Sequence, residues 1–190
     1  MKTQTKALFL VGLLAMVLAG FAQAQTKATL VSGSELKVDG GSTLHDWHMT
    51  TSSAKGEGLF VLDGNLFKGA SNVSITFAAE TLKSGTSGLD KNAYKALKTD
   101  KYRDIKFTLK ELTGSGSSFT AKGDLSIAGV TKSVTIPVKL SSSGNKYTFE
   151  GSLKTQLTNF SITPPTALMG TVKTEDVITL SFKTIFQTSL

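Results

Sequence analysis

Gly123–Leu140 reads GDLSIAGVTKSVTIPVKL. Leu125 and Ile127 alternate with Asp124 and Ser126. Past a short turn around Gly129, the residues Val134, Ile136, Val138 and Leu140 alternate with Ser133, Thr135, Pro137 and Lys139. A period of two places alternate side chains on opposite faces of an extended chain. The stretch therefore predicts two half-buried strands joined by a tight connection, each apolar on one face and wet on the other.

The alternation continues on both sides of this hairpin. Val73, Ile75, Phe77 and Ala79 form one such series, and Ile105, Phe107 and Leu109 alternate with Lys106, Thr108 and Lys110. Phe119, Ala121, Gly123 and Leu125 share a face opposite Thr120, Lys122 and Asp124. Tyr147, Phe149 and Leu153 follow, and Ile178, Leu180, Phe182 and Thr184 end the series against Thr179, Ser181 and Lys183. Polar turn clusters, Gly114–Ser118 and Ser141–Asn145 among them, separate the strands. Many strands with short polar connections predict an all-β antiparallel sandwich or barrel. One segment departs from the pattern: in Ser87–Leu97, SGLDKNAYKAL, the residues Leu89, Ala93 and Leu97 recur every fourth position, as on a helix face. A short amphipathic helix around residues 87–97 is expected across an open barrel end, with Ser87 and Asp90 as its capping pair.

The amino terminus reads as a leader rather than as part of the domain. Lys2 and Lys6 precede the apolar run Ala7–Leu18, which is too short to span a bilayer as a mature helix, and Ala22-Gln23-Ala24 supplies a small–x–small cleavage pattern. A signal peptide over residues 1–24, cleaved after Ala24, leaves residues 25–190 as a single domain in the periplasm or outside the cell. Phe21 stands where a lipoprotein would need cysteine, and the chain has no cysteine. Lipid attachment there and disulfides are excluded, so the domain depends on its core. Without Lys2 and Lys6, 19 basic residues face 14 acidic ones, a net +5. The lysines are scattered as singles along alternating segments, which points to solvated faces rather than to a nucleic-acid footprint and leaves room for transient contact with an anionic membrane.

The Gly123–Leu140 string resembles the GxLxIxGxTKxVxxxV segment of the YceI-like lipid-binding proteins. Ala96–Leu109, ALKTDKYRDIKFTL, is similar to that family's passage from helix to strand, with Lys101, Tyr102, Ile105 and Phe107 matching and Arg103 in place of the usual proline. Gly41–Trp47, GSTLHDW, resembles the first-strand motif of one branch, and Asn159–Lys173 its penultimate segment. The HSxIxFxVxH arrangement of the best-known members is missing from the first strand. The resemblance implies an exported, lipocalin-like antiparallel barrel of about eight strands whose lumen holds a long isoprenoid chain. It implies a carrier and no cofactor.

An eight-stranded barrel either fills with side chains or holds one small ligand. If the implied carrier is right, the lumen candidates are the aromatics Trp47, Phe60, Phe77, Phe107, Phe119, Phe160 and Phe182, the aliphatics Ile75, Leu109, Leu125, Ile127, Ile136, Leu168 and Leu180, and Met169. The partner is then an apolar lipid, quinone or isoprenoid-type molecule, and oligomeric state is not legible. Two motifs stay open. Trp47 fits either a core position or a ligand contact at the barrel mouth. Pro164–Gly170, PPTALMG, either folds back on the core or forms an apolar flap over the lumen, with Leu168 and Met169 on a loop.

Both histidines of the chain, His45 and His48, flank Asp46 and Trp47. Three apart on a strand they face opposite ways, and neither a cysteine nor an HExxH helix accompanies them. No G-x-S-x-G elbow supports a serine nucleophile. A metal enzyme or hydrolase built on His45, Asp46 and His48 is thus one rival to the carrier. A non-enzymatic interaction module with a filled barrel is the other.

Overall fold

The computed structural model describes residues 25–189, so the expected leader lies outside the described residues. In chain order the elements are β1 (Gln25–Leu30), β2 (Glu35–Ser42), β3 (Trp47–Thr51), β4 (Lys55–Asp63), β5 (Leu66–Ala78), α1 (Ser87–Leu97), β6 (Asp104–Ser115), β7 (Ser118–Ile127), β8 (Val130–Ser143), β9 (Lys146–Gln156), β10 (Thr166–Ala167) and β11 (Val172–Thr188). Every strand pairing is antiparallel between neighbours, and β1 pairs with β11 to close the sheet on itself.

These segments make eight staves, because two staves are broken in the middle. β1 and β2 run end to end along β11, with Leu30 opposite Phe186 and Glu35 opposite Lys183. β3 and β4 run end to end along that stave in turn, with Leu36 opposite Thr51 and Thr29 opposite Glu57. The break between β1 and β2 is fastened by Ser34: its buried hydroxyl donates to the Val31 carbonyl (2.8 Å) and accepts from the Ile185 N–H (2.9 Å). The rest is an up-and-down meander, the topology that short polar turns favour.

The hairpin of Gly123–Leu140 forms as its pattern predicts. Ile127 pairs with Val130, and Ala128 and Gly129 turn the chain with φ of 49° and 80°. Two positive φ values match the right-handed twist of the flanking strands. Gly129 is required twice over, since a Cβ there would strike the Tyr102 ring. The faces follow the alternation: Leu125, Ile136 and Val138 are buried, whereas Lys106, Lys110, Lys122, Lys139 and Lys183 are all exposed.

Helix α1 forms between β5 and β6, but its cap differs from the expectation. Ser87 is the first helical residue, and the N-cap Thr86 makes no side-chain capping bond. Asp90 instead accepts from the N–H (2.9 Å) and hydroxyl (2.7 Å) of Ser84, three residues upstream of the helix, in the turn that leads into it. The Ser84 side-chain and backbone bonds hold the Asp90 carboxyl below its ordinary range. Tyr94 fixes the other side of the helix: its hydroxyl lies 2.7 Å from the Leu82 carbonyl and receives the Lys83 ammonium at 2.7 Å.

The two ends of the barrel differ. At one end Phe60, Phe67, Phe119, Tyr147, Phe149 and Phe186 pack edge to face or tilted, with ring centroids 5.1 Å to 6.1 Å apart. The buried Tyr147 hydroxyl donates to the Asn65 carbonyl at 3.1 Å, and burial pushes its phenol up. This plug closes the barrel. The other end carries α1, the β2–β3 turn and the segment before β11, and it stays open.

Candidate ligand-binding cavity

The lumen holds a cavity of about 1190 Å³. It runs from Phe60, Phe149 and Phe186 in the aromatic plug to Leu168 and Met169 at the opposite rim. Ligand pockets commonly measure about 300–1,000 Å³, so this one suits a long molecule. Its wall comes from the inward positions of the staves. Ile178, Leu180, Phe182, Thr184 and Phe186 line it from β11 alone. Thr184 is a buried polar side chain in this wall, and its hydroxyl donates to the Phe149 carbonyl. Among the described residues no buried side-chain nitrogen or oxygen lacks a partner. The deep lumen therefore holds no unpartnered side-chain polar atom that a polar ligand group would be needed to satisfy, and most of the hydrogen-bonding side chains of the lining gather at the mouth.

The lumen candidates read from the sequence all line this cavity except Phe119. Phe119 is buried in the plug, 5.4 Å from Phe67 by ring centroids, and belongs to the floor that closes the barrel rather than to its wall. Phe119 faces inward as the alternation predicts, but its height along the barrel axis is set by strand tilt, which a period-two pattern does not carry. The sequence reading also passed over Leu36 and Val38 of β2 and Met49 of β3, which line the cavity. Their signal was present: Leu36 and Val38 alternate with Lys37 and Asp39, and Met49 follows Trp47 by two.

Trp47 is half-buried, packed against the core on one side and facing the cavity on the other. It lines the cavity, and its indole N–H donates to the Gly41 carbonyl at 3.0 Å. The ring lies over Gly40, its register partner, where any Cβ would collide with it. The rest of GSTLHDW builds the turn. The Ser42 hydroxyl donates to the His45 carbonyl (2.8 Å) and accepts from the Leu44 and His45 N–H groups (3.2 Å each). Thr43 reaches the start of β11, just past the apolar loop: its N–H donates to the Lys173 carbonyl (2.9 Å), and its hydroxyl accepts from the Lys173 N–H (3.1 Å). The motif thus positions one tryptophan and ties down one loop.

Just before that loop, Phe160 and Ile162 fold into the core and are buried, whereas none of Pro164–Gly170 is. Pro165–Gly170 borders the opening, with Leu168 71% and Met169 108% exposed. Leu44 joins them at the rim, 64% exposed.

The two histidines do not converge. His45 sits in the turn at the cavity rim, with Nδ1 2.7 Å from the Asp46 carbonyl. His48 and Asp46 border a shallow depression on the outside of the wall, with Asp39 and Lys154. Among the described residues no three His, Cys, Asp or Glu side chains come together as a metal site.

The fold recurs among solved structures. The chain is similar to BcnA of Burkholderia cenocepacia, at 16% identity over 80% of this chain and 95% of that one, with a TM-score of 0.67. It is similar to a polyisoprenoid binding domain of Saccharophagus degradans, at 10% identity over 85% and 98% of the two chains and a TM-score of 0.65. The YCEI protein of Campylobacter jejuni superposes with a TM-score of 0.54, at 18% identity over 70% of this chain and 80% of that one. Comparison with curated protein sequences returns no match. The YceI-like domain model matches residues 21–186, nearly the whole chain. With that match, and with the barrel, plug and open lumen in place, the chain belongs to the YceI-like family.

Proposed function

We propose that this chain is an exported carrier that sequesters a long apolar ligand, an isoprenoid, quinone or other lipid, with its tail in the barrel lumen. The observation that carries the reading is the cavity itself: about 1190 Å³, apolar from the plug upward, with no deep polar group left to satisfy. Burial of hydrocarbon is worth about 0.8 kcal/mol per CH₂, so a tail of several isoprene units binds without a hydrogen bond. The neighbouring polyisoprenoid binding domain of Saccharophagus degradans supports the ligand class. The open lumen counts against a filled-barrel interaction module. The separation of His45 from His48 across the wall counts against a catalyst built on them. Export rests on the leader at residues 1–24, and amino-terminal analysis of the exported protein is expected to start at Gln25. Leu44, Leu168 and Met169 at the rim suit transient contact with a membrane during loading.

The test is native mass spectrometry of protein purified from its own source, followed by organic extraction. A bound lipid of long hydrocarbon chain is expected. Leu125→Trp, which fills the lumen from β7, is expected to weaken uptake of a fluorescent polyisoprenoid while the barrel stays folded. Protein without lipid, taking up neither isoprenoid nor fatty-acyl probes, would overturn the carrier reading.

A further inference from the structure

The ionisable side chains that line the cavity are Lys37, His45 and Lys91, and no carboxylate joins them. Two of the three are already engaged. Lys37 is paired with Asp39 at 2.6 Å, and His45 holds the Asp46 carbonyl through Nδ1. Lys91 has no ion-pair partner among the described residues. It stands on the exposed side of α1 at the mouth, next to Asn92 and near Thr86, which also border the opening. The nearby acids are turned elsewhere. Asp90 is bound to Ser84, Asp46 borders the outer depression, and Glu175 covers Gly41.

From this arrangement we infer that the cavity selects amphiphiles with an anionic head, a carboxylate or a phosphate, held at the mouth by Lys91. The inference rests on the carrier reading and adds the chemistry of the head. A tail buried to the plug leaves the head at the rim, because the deep lumen has no free polar group. At the rim a head meets donors from α1 and one unpaired positive charge. An anionic oxygen head gains from both. A cationic head meets Lys91 as a like charge with no lining carboxylate to offset it. The site is partly exposed, so the discrimination is that of a solvated ion pair, modest and sensitive to salt.

The experiment compares hexadecanoate, hexadecanol and hexadecyltrimethylammonium below their micellar concentrations, and farnesyl phosphate with farnesol. Binding is read by the fluorescence of Trp47, the single tryptophan of the chain. At low salt the anionic member of each pair is expected to bind about three- to fivefold tighter than its alcohol, and the preference is expected to fade in high salt. Lys91→Gln is expected to bring the ratio to about one, and Lys91→Glu to favour the ammonium. Lys139→Gln, on the outer wall, is expected to leave the ratio alone. A preference in only one pair assigns the head to carboxylate or to phosphate. Equal binding of acid and alcohol, or a preference that survives Lys91→Gln, overturns the inference and leaves the carrier intact. Failure of every amphiphile to bind overturns the carrier reading instead.

Discussion

Gly40 and Trp47 show how one contact turns a motif into a wall. They face each other across the β2–β3 ladder, and the indole occupies the volume that a side chain on Gly40 would need. Gly40→Val is therefore expected to destabilise the protein by about 1–3 kcal/mol, the usual cost of overpacking. Urea unfolding followed by Trp47 emission would measure it, and a midpoint equal to the wild type's would refute it. Trp47→Phe keeps a smaller aromatic ring and loses the indole bond to the Gly41 carbonyl. It is expected to cost about 0.5–1.5 kcal/mol, read by the same unfolding followed by circular dichroism. The sequence displayed Trp47 as a candidate but gave no means to choose between core and lumen. That choice depends on Gly40 standing opposite it, and cross-strand register is a tertiary fact. The outward Lys residues, by contrast, were legible at once, since alternation alone decides the face.

The rim loop and the helix are the elements whose local conformation departs most from what sequence patterning predicts. Leu168 and Met169 have φ of 48° and 56°, consecutive left-handed residues with a Cβ, and Gly170 follows at 89°. Each left-handed non-glycine residue costs about 1–2 kcal/mol. Ties from Thr43 to the Lys173 backbone and pairing of β10 with β11 hold the loop against that strain. Met169→Gly is expected to relieve it and raise stability by about 0.5–1 kcal/mol, net of the backbone freedom glycine adds to the unfolded chain. Thermal unfolding would decide the sign. At α1 the link is pH-dependent. The Asp90 carboxyl lies below its ordinary value because Ser84 bonds to the charged form. The folded state therefore binds that proton less readily than the unfolded chain, so the stabilisation is present above the unfolded pKa and fades as pH falls through the folded one. Ser84→Ala is expected to flatten that acid limb, with circular dichroism against pH as the measurement. Sequence reading found the helix through its four-residue spacing, yet placed the cap at Ser87. The pairing that forms reaches back to Ser84 through a turn whose geometry no local motif announces.

The molecule as a whole divides its work between two ends. The aromatic plug closes the barrel and concentrates the buried rings, while above it a second buried cluster lies under the helix and several apolar side chains of the cavity wall stay only partly covered. Ile75, Phe77, Phe107, Leu180 and Phe182 all line the cavity and are half-buried. A solid core would bury such residues fully, and the surface they keep is the surface a ligand would cover. Alternation predicted their inward direction equally for a filled or an open lumen, because it records which face a residue takes and not whether the facing staves meet. The distinction is measurable with one substitution at each end. Phe60 is 1% exposed and touches Phe67, Tyr147, Phe149 and Phe186. Phe60→Ala removes the centre of the plug and is expected to cost about 3–5 kcal/mol. Phe107→Ala changes a wall that already faces open space, so it leaves no new sealed void and is expected to cost about half as much or less. It also removes hydrocarbon contact from the ligand, so uptake of a polyisoprenoid probe is expected to weaken by roughly tenfold, from the contact area lost. Urea midpoints and probe titrations on the two variants read both quantities. Equal loss of stability at the two positions, with binding untouched at Phe107, would mean that the open half is a packed core and that the lumen holds no tail.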